Sequence, residues 1–262
     1  MPKKAEIQLG LKENWKQFTL LVIINAFVGG MVGLERSILP QIAEVDFHIA
    51  AKTAILSFII VFGIVKAITN YYTGALANKF GRKKLLVAGW IIGIPIPFIL
   101  MFASNWNWII AANVLLGINQ GLAWSSTVVM KIDLVGEKQR GFAMGLNEFS
   151  GYIAVAIVAF LTGWIAGEYG IRPYPFYIGF VLVLLGLIGS IFFIKDTRHH
   201  VTKETGISCV PPLKHDLLFF VKQLRECDLT FGARFMLRNC WPVGIHEFES
   251  FPAIQHGICL SQ

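Results

Sequence analysis

Cysteine is missing from the first 195 residues; Cys209, Cys227, Cys240 and Cys259 all follow them. That long part of the chain is therefore held together without disulfides. Nor does any C-x-x-C pair occur. Cys240 with His246, or His256 with Cys259, matches no zinc spacing, so no metal site and no cofactor is expected. No H-E-x-x-H, G-x-S-x-G or phosphate-binding loop is present, and no span carries paired catalytic carboxylates. The chain is expected not to be an enzyme. Charge is also scarce: 15% of residues are Asp, Glu, Lys or Arg, against about 25% in soluble domains.

Apolar residues fill the place of charge. They make up 55% of the chain and gather into runs at about 17–39, 50–73, 85–104, 107–130, 142–166 and 174–194. A bilayer takes roughly 20 apolar residues at 1.5 Å rise each. The expected fold is an all-α membrane protein with six transmembrane helices. The first run follows Lys3, Lys4, Lys12 and Lys16 in the manner of a signal peptide. It is too long for a signal core and no small-x-small cleavage site closes it, so it reads as a retained span.

The net charge of +7 is not spread evenly. Lys79, Arg82, Lys83 and Lys84, then Lys131, Lys138 and Arg140, occupy alternate connections. The other connections hold Arg36, Lys52 and Arg172 at most. This asymmetry predicts both ends of the six-helix part in the cytoplasm. It makes the lipid bilayer the partner, and no nucleic acid is expected. Gln41–His48, with Glu44 and Asp46, and the tryptophans of Ser104–Trp108 suit the outer side.

Polar residues inside the runs are the candidate site. Asn25, Gly29, Val32 and Arg36 share one face of the first helix. Glu35 and Arg36 are costly there unless paired, solvated or snorkelling to the surface. Lys66, Asn70 and Gly74 share a face of the second, and Lys66 either belongs to a site or snorkels. Pro95 and Pro97 should bend the third. Asn113, Gly117, Gln120, Trp124, Thr127 and Lys131 form a stripe on the fourth, facing protein or a water-filled cavity. Glu148 lies in the first turns of the fifth, where it pairs with Lys131, pairs with the basic turn at 79–84, or is solvated.

The stretch between the second and third runs reads Gly74-Ala75-Leu76-Ala77-Asn78-Lys79-Phe80-Gly81-Arg82-Lys83-Lys84. Gly74 and Gly81 suggest close backbone approach at this turn. The stretch resembles the loop signature of the major facilitator superfamily, G-x-L-a-D-r-x-G-R-[RK]-[RK]. Gly74, Leu76, Lys79, Gly81, Arg82, Lys83 and Lys84 match, while Asn78 stands where the family has Asp. Gln120-Gly121 is similar to the family's fourth-helix R-x-x-Q-G, with Gly117 in place of the Arg of proton-linked members. Gly33-Leu34-Glu35-Arg36 through Pro40 resembles the end of many first helices in the family.

The resemblance covers about residues 10–200 and implies the N-terminal half bundle of a transporter. By that resemblance the first and fourth helices would line a solute path. Asn25, Arg36, Asn113 and Gln120 are candidate lining, and Lys66, Asn70, Lys131 and Glu148 candidate gate or coupling residues. The uncharged Asn78 implies a weak or absent latch against the second half. A small-molecule substrate and an opposing six-helix half, or a second copy of the chain, are the implied partners. A bacterial plasma membrane is the expected location.

Residues 196–262 differ in character and hold all four Cys and five of the six His. A poorly structured cytoplasmic tail is expected there, with a short amphipathic helix at about 213–225. That change of character suggests a truncated or frameshifted half transporter with weak transport alone. The competing expectation is a membrane protein that transports nothing: an assembly partner, a regulator or an inert product.

Overall fold

The computed structural model describes residues 9–197 and 200, apart from the side chains of Asn78 and Glu137. The expected helix at 213–225 and the four cysteines lie outside the described residues. Eight α-helices follow one another, with no strand among the described residues: α1 (Trp15–Arg36), α2 (Leu39–Val45), α3 (Ala51–Phe80), α4 (Arg82–Gly93), α5 (Pro95–Phe102), α6 (Trp106–Val135), α7 (Arg140–Tyr169) and α8 (Phe176–Phe192).

These form six legs, because α2 continues α1 and α5 continues α4. Trp15–Val45, Ala51–Ala77, Arg82–Phe102 and Arg140–Tyr169 are long and apolar enough to cross a membrane. The 30-residue α6 is as long as α7 but carries the polar stripe, which is buried in protein. The apolar α8 has 17 residues, enough for roughly 25 Å at 1.5 Å per residue.

Three local features depart from the sequence reading. The segment expected as an outer loop, Gln41–His48, is helical as far as Val45. The basic turn shrinks to a single residue: α3 runs through Gly74–Phe80, and only Gly81, at φ +100°, separates it from α4. A left-handed φ is what glycine supplies without steric cost. Gly74, by contrast, sits in the helix with open space where a Cβ would stand, so the close approach expected there is not made among the described residues. The third leg breaks at Ile94, as its prolines predict. Pro95 and Pro97 cannot donate to the carbonyls of Ile91 and Gly93, and the chain restarts as α5.

Contacts at the two ends fix the alternation of the legs. At the basic end, Arg82 pairs with Asp133 at 3.2 Å and Thr197 donates to the same carboxylate at 2.6 Å. Lys83 Nζ donates to the Ile191 carbonyl at 2.7 Å, and Gln17 Nε2 donates to that of Phe193 at 3.4 Å. At the other end, Arg172 pairs with Asp46 at 3.2 Å and donates to the Ala103 carbonyl. Burial pulls the Arg172 guanidinium below its ordinary pKa, and the Asp46 carboxylate opposes that. Trp106 stacks edge-on with Phe47 and donates to Ser57. Asn105 caps α6, its Oδ1 accepting from the Asn107 and Trp108 amides.

Between these ends α1 packs along α7, and α6 along both α3 and α4. Without water to exclude, helices in lipid associate by close van der Waals fit. Gly29 and Gly33 show it: a Cβ on either would strike the α7 backbone at Gly151 or Val155. The outward faces of α3, α7 and α8 are apolar and exposed, with Ile60, Ile64, Phe149, Phe160 and Leu184 among them. They are the surfaces that lipid or another protein would cover.

Candidate functional site

The polar residues of α1, α6 and α7 meet in the interior. Asn25 is fully buried; its Nδ2 donates to the Asn147 carbonyl at 2.8 Å and to Ser150 Oγ at 3.3 Å. Its Oδ1 accepts from Thr127 Oγ1 at 2.8 Å. Lys131, 0% exposed, donates to Asn147 Oδ1, and the Asn147 amide donates onward to Glu148 Oε1 at 3.0 Å. The same carboxylate oxygen accepts from Trp124 Nε1 at 3.0 Å. A buried ammonium and a half-buried carboxylate are thus linked through one asparagine and braced by an indole.

The network reaches the surface through Trp124. Lys66 Nζ lies 4.8 Å over the Trp124 ring and 5.6 Å over that of Phe62. Arg36 stacks on the same Phe62 ring at 5.7 Å. Tyr152 meets Trp124 edge-on, and Asn70, exposed, accepts from Ser125 at 2.7 Å. The resulting strip runs from the exposed Asn70 and Tyr152 inward to the buried Lys131. It combines cations, aromatic faces and one carboxylate, the elements of cation–π and charge recognition.

The four residues expected as gate or coupling elements therefore come close together. Lys66, Lys131 and Glu148 share the network, and Asn70 borders it. Of the readings left open for Glu148, the structure links it to Lys131 through the Asn147 side chain, together with a Trp124 bond that its position in sequence did not suggest. The four expected path residues are not brought to one surface. Asn25 is internal with its amide fully engaged. Gln120 is internal too, donating to the Val28 carbonyl at 2.7 Å. Asn113 is buried and donates to Ile109. Arg36 alone is part exposed.

Glu35 was legible only as a costly charge. It does not snorkel: it is 2% exposed, with Oε1 unpartnered among the described residues. Asn147 lies beside Glu148 in sequence but is not among the expected site residues, because a lone Asn carries no distinctive spacing; the stripe on α6 that it completes is the available signal. Gly117 has a packing reason, since a Cβ there would press on Val65 and the Phe62 carbonyl of α3.

In the loop motif, Arg82 is buried against Asp133 and donates to Ala77. Lys83 reaches α8. The side chain of Asn78 lies outside the described residues.

A bundle of lipid-facing helices around a buried polar network defines an integral, multi-pass membrane protein. The chain belongs to the Major Facilitator Superfamily, whose sequence profile matches residues 19–237. The match runs beyond residue 200, so the family relationship extends further into the tail than the motifs suggested. The proton-coupled antiporter flippase LtaA of Staphylococcus haemolyticus is 27% identical over 229 residues, covering 84% of this chain and 54% of that protein. Multidrug resistance protein 2 of Bacillus subtilis is 25% identical, covering 83% and 56%. The multi-drug resistance efflux pump PmrA of Streptococcus pneumoniae is 30% identical over 200 residues, covering 74% and 49%. The chain spans about half the length of these relatives.

Proposed function

We propose that this chain forms one wall of a secondary transporter that moves a small solute across a bacterial plasma membrane by alternating access. A second six-helix half, or a second copy, supplies the opposite wall. Substrate in such transporters binds near the midplane between repeats. The strip from Asn70 and Tyr152 through Lys66 and Trp124 to Glu148 is the surface offered to it. The observation that carries this reading is the Lys131–Asn147–Glu148–Trp124–Lys66 chain of contacts. Ionisable groups so placed inside a membrane are expensive, and they mark ion or substrate pathways.

In this scheme Glu148 is the coupling group. Its carboxylate is linked to Lys131 through Asn147 and to the ring under Lys66 through Trp124, so the charge it carries decides how strongly cationic the strip is. A proton or a cationic solute arriving at Glu148 would compete with Lys66 and Lys131 for it. Glu35, with a free oxygen, is a second proton-accepting group on the same half.

The relatives' names suggest two substrate classes to test, drug-like solutes and lipids. Proteoliposomes holding this chain, with and without the C-terminal half of a relative, would be assayed with ethidium and with a fluorescent lipid. The expected result is movement of one probe when both halves are present, reduced at least 10-fold by Glu148→Gln. Movement unaffected by Glu148→Gln and by Lys131→Met together would remove Glu148 from the coupling role. No movement of any solute in a wider panel, with both halves present, would remove the transport reading.

A further inference from the structure

A second charged cluster lies at the basic end, away from the strip. A surface cleft of about 400 Å³ opens between the start of α1 and the segment after α8. Lys12, Lys16 and Lys195 line it, with His200 and the floor residue Leu134. The three lysines are exposed and come from two segments about 180 residues apart in sequence. Glu13 is the acid in the lining, and its carboxylate folds back over Gly10. Asn14 turns its side-chain amide to the Gly10 and Leu134 carbonyls, so it leaves the first turn of α1 uncapped.

One aromatic side chain, Trp15, belongs to the cleft lining, and the end of α8 is tied to the cleft by Gln17. Trp15, 56% exposed, lines it beside Lys16, whose Nζ lies 5.8 Å over the indole. Gln17, also in the lining, is bonded to the Phe193 carbonyl, and Phe192 and Phe193 are exposed. Tryptophan at the mouth of a transmembrane helix sits at headgroup depth. Three lysines therefore line a cleft that also holds an exposed indole, with two exposed phenylalanines at the end of α8.

We infer that this cleft binds the phosphate of an anionic phospholipid, with Lys12, Lys16 and Lys195 on the headgroup and Trp15 and Phe193 along the first acyl carbons. The lysines and a first-turn end without an acidic residue suit a phosphate. The exposed aromatic side chains select a lipid over a free phosphate, because a soluble anion would leave them without a partner. A scatter of lysines serving only orientation requires neither a shared cleft nor those aromatic side chains.

The test uses the whole chain purified in a mild detergent, with native mass spectrometry counting retained lipid. Phosphatidylglycerol, phosphatidylcholine and inorganic phosphate are added in turn. The expected result is selective retention of phosphatidylglycerol by the natural chain. The variant K12Q/K16Q/K195Q should lose that preference by roughly 100-fold, at about 1 kcal/mol per lysine near the surface and about 1.4 kcal/mol per factor of ten. The variant K79Q/K84Q/K138Q removes the same charge from the same end, outside the cleft, and should keep the preference. Equal losses in both variants would reduce the effect to general surface charge and overturn the site. Displacement of the lipid by millimolar inorganic phosphate would overturn the lipid assignment. Circular dichroism checks that each variant is folded, and a K12R/K16R/K195R variant, which keeps the charge, should retain the lipid if the first triple does not fold.

Discussion

Asn25 shows what a single side chain does here. Read from its spacing it belongs to a solute path, yet each of its polar atoms is bound to the protein. Asn25→Ala would remove three buried hydrogen bonds, although Thr127 keeps the Trp124 carbonyl and Ser150 keeps that of Asn147. Each lost bond costs about 0.5–1.5 kcal/mol, so a lower midpoint of thermal unfolding in detergent is expected, with probe binding at the strip unchanged. The Arg82–Asp133 pair gives a second prediction. Both side chains are under 10% exposed, and removing one partner of a buried pair leaves an uncompensated charge worth about 3–5 kcal/mol. Arg82→Ala and Asp133→Ala should each lower the midpoint, while Arg82→Met with Asp133→Leu should cost less than either. A double variant as unstable as the sum of the singles would show that the pair does not act as a unit.

Helices were the most legible level. Long apolar runs reappear as helices and the two prolines at 95 and 97 as a break, with ends shifted by several residues. Less legible were features set by tertiary partners. Nothing local says that Gly81 alone makes the turn, that residues 39–45 coil, or that Asp133 is the partner of Arg82. The site was half legible for the same reason: Lys66, Lys131 and Glu148 stand out as charges in apolar runs, whereas Asn147 and Trp124 acquire their roles only through contact. Glycines separate the two situations at element scale. Gly29→Leu should force α1 off α7, with overpacking costing about 1–3 kcal/mol or more. Gly63→Ala, inside α3 where no atom lies within 4 Å of the new Cβ, should leave the packing intact and raise stability by about 0.5–1 kcal/mol, as replacing a mid-helix glycine does.

At the scale of the whole bundle, the membrane orientation is the first matter to measure. In a variant lacking Cys209, Cys227, Cys240 and Cys259, single cysteines at Lys79 and Lys138 should be labelled from the same side by an impermeant maleimide. Cysteines at Glu44 and Glu168 should be labelled from the other. Lys79 and Lys138 on opposite sides would undo the six-leg threading. With an opposing half present, Asn78→Asp should shift accessibility toward an outward-facing state, read by labelling of Tyr152→Cys; an unchanged pattern would remove the latch idea. Motion of such a half is also restricted by the way its last leg ends. The carbonyls of Ile191 and Phe193 accept hydrogens from Lys83 and Gln17, donors mounted on two other legs. A piston stroke of α8 along its own axis would strip both at once. Tilting of the six legs together disturbs neither, so this end of the molecule favours rocking as one solid piece over slippage of a single rod.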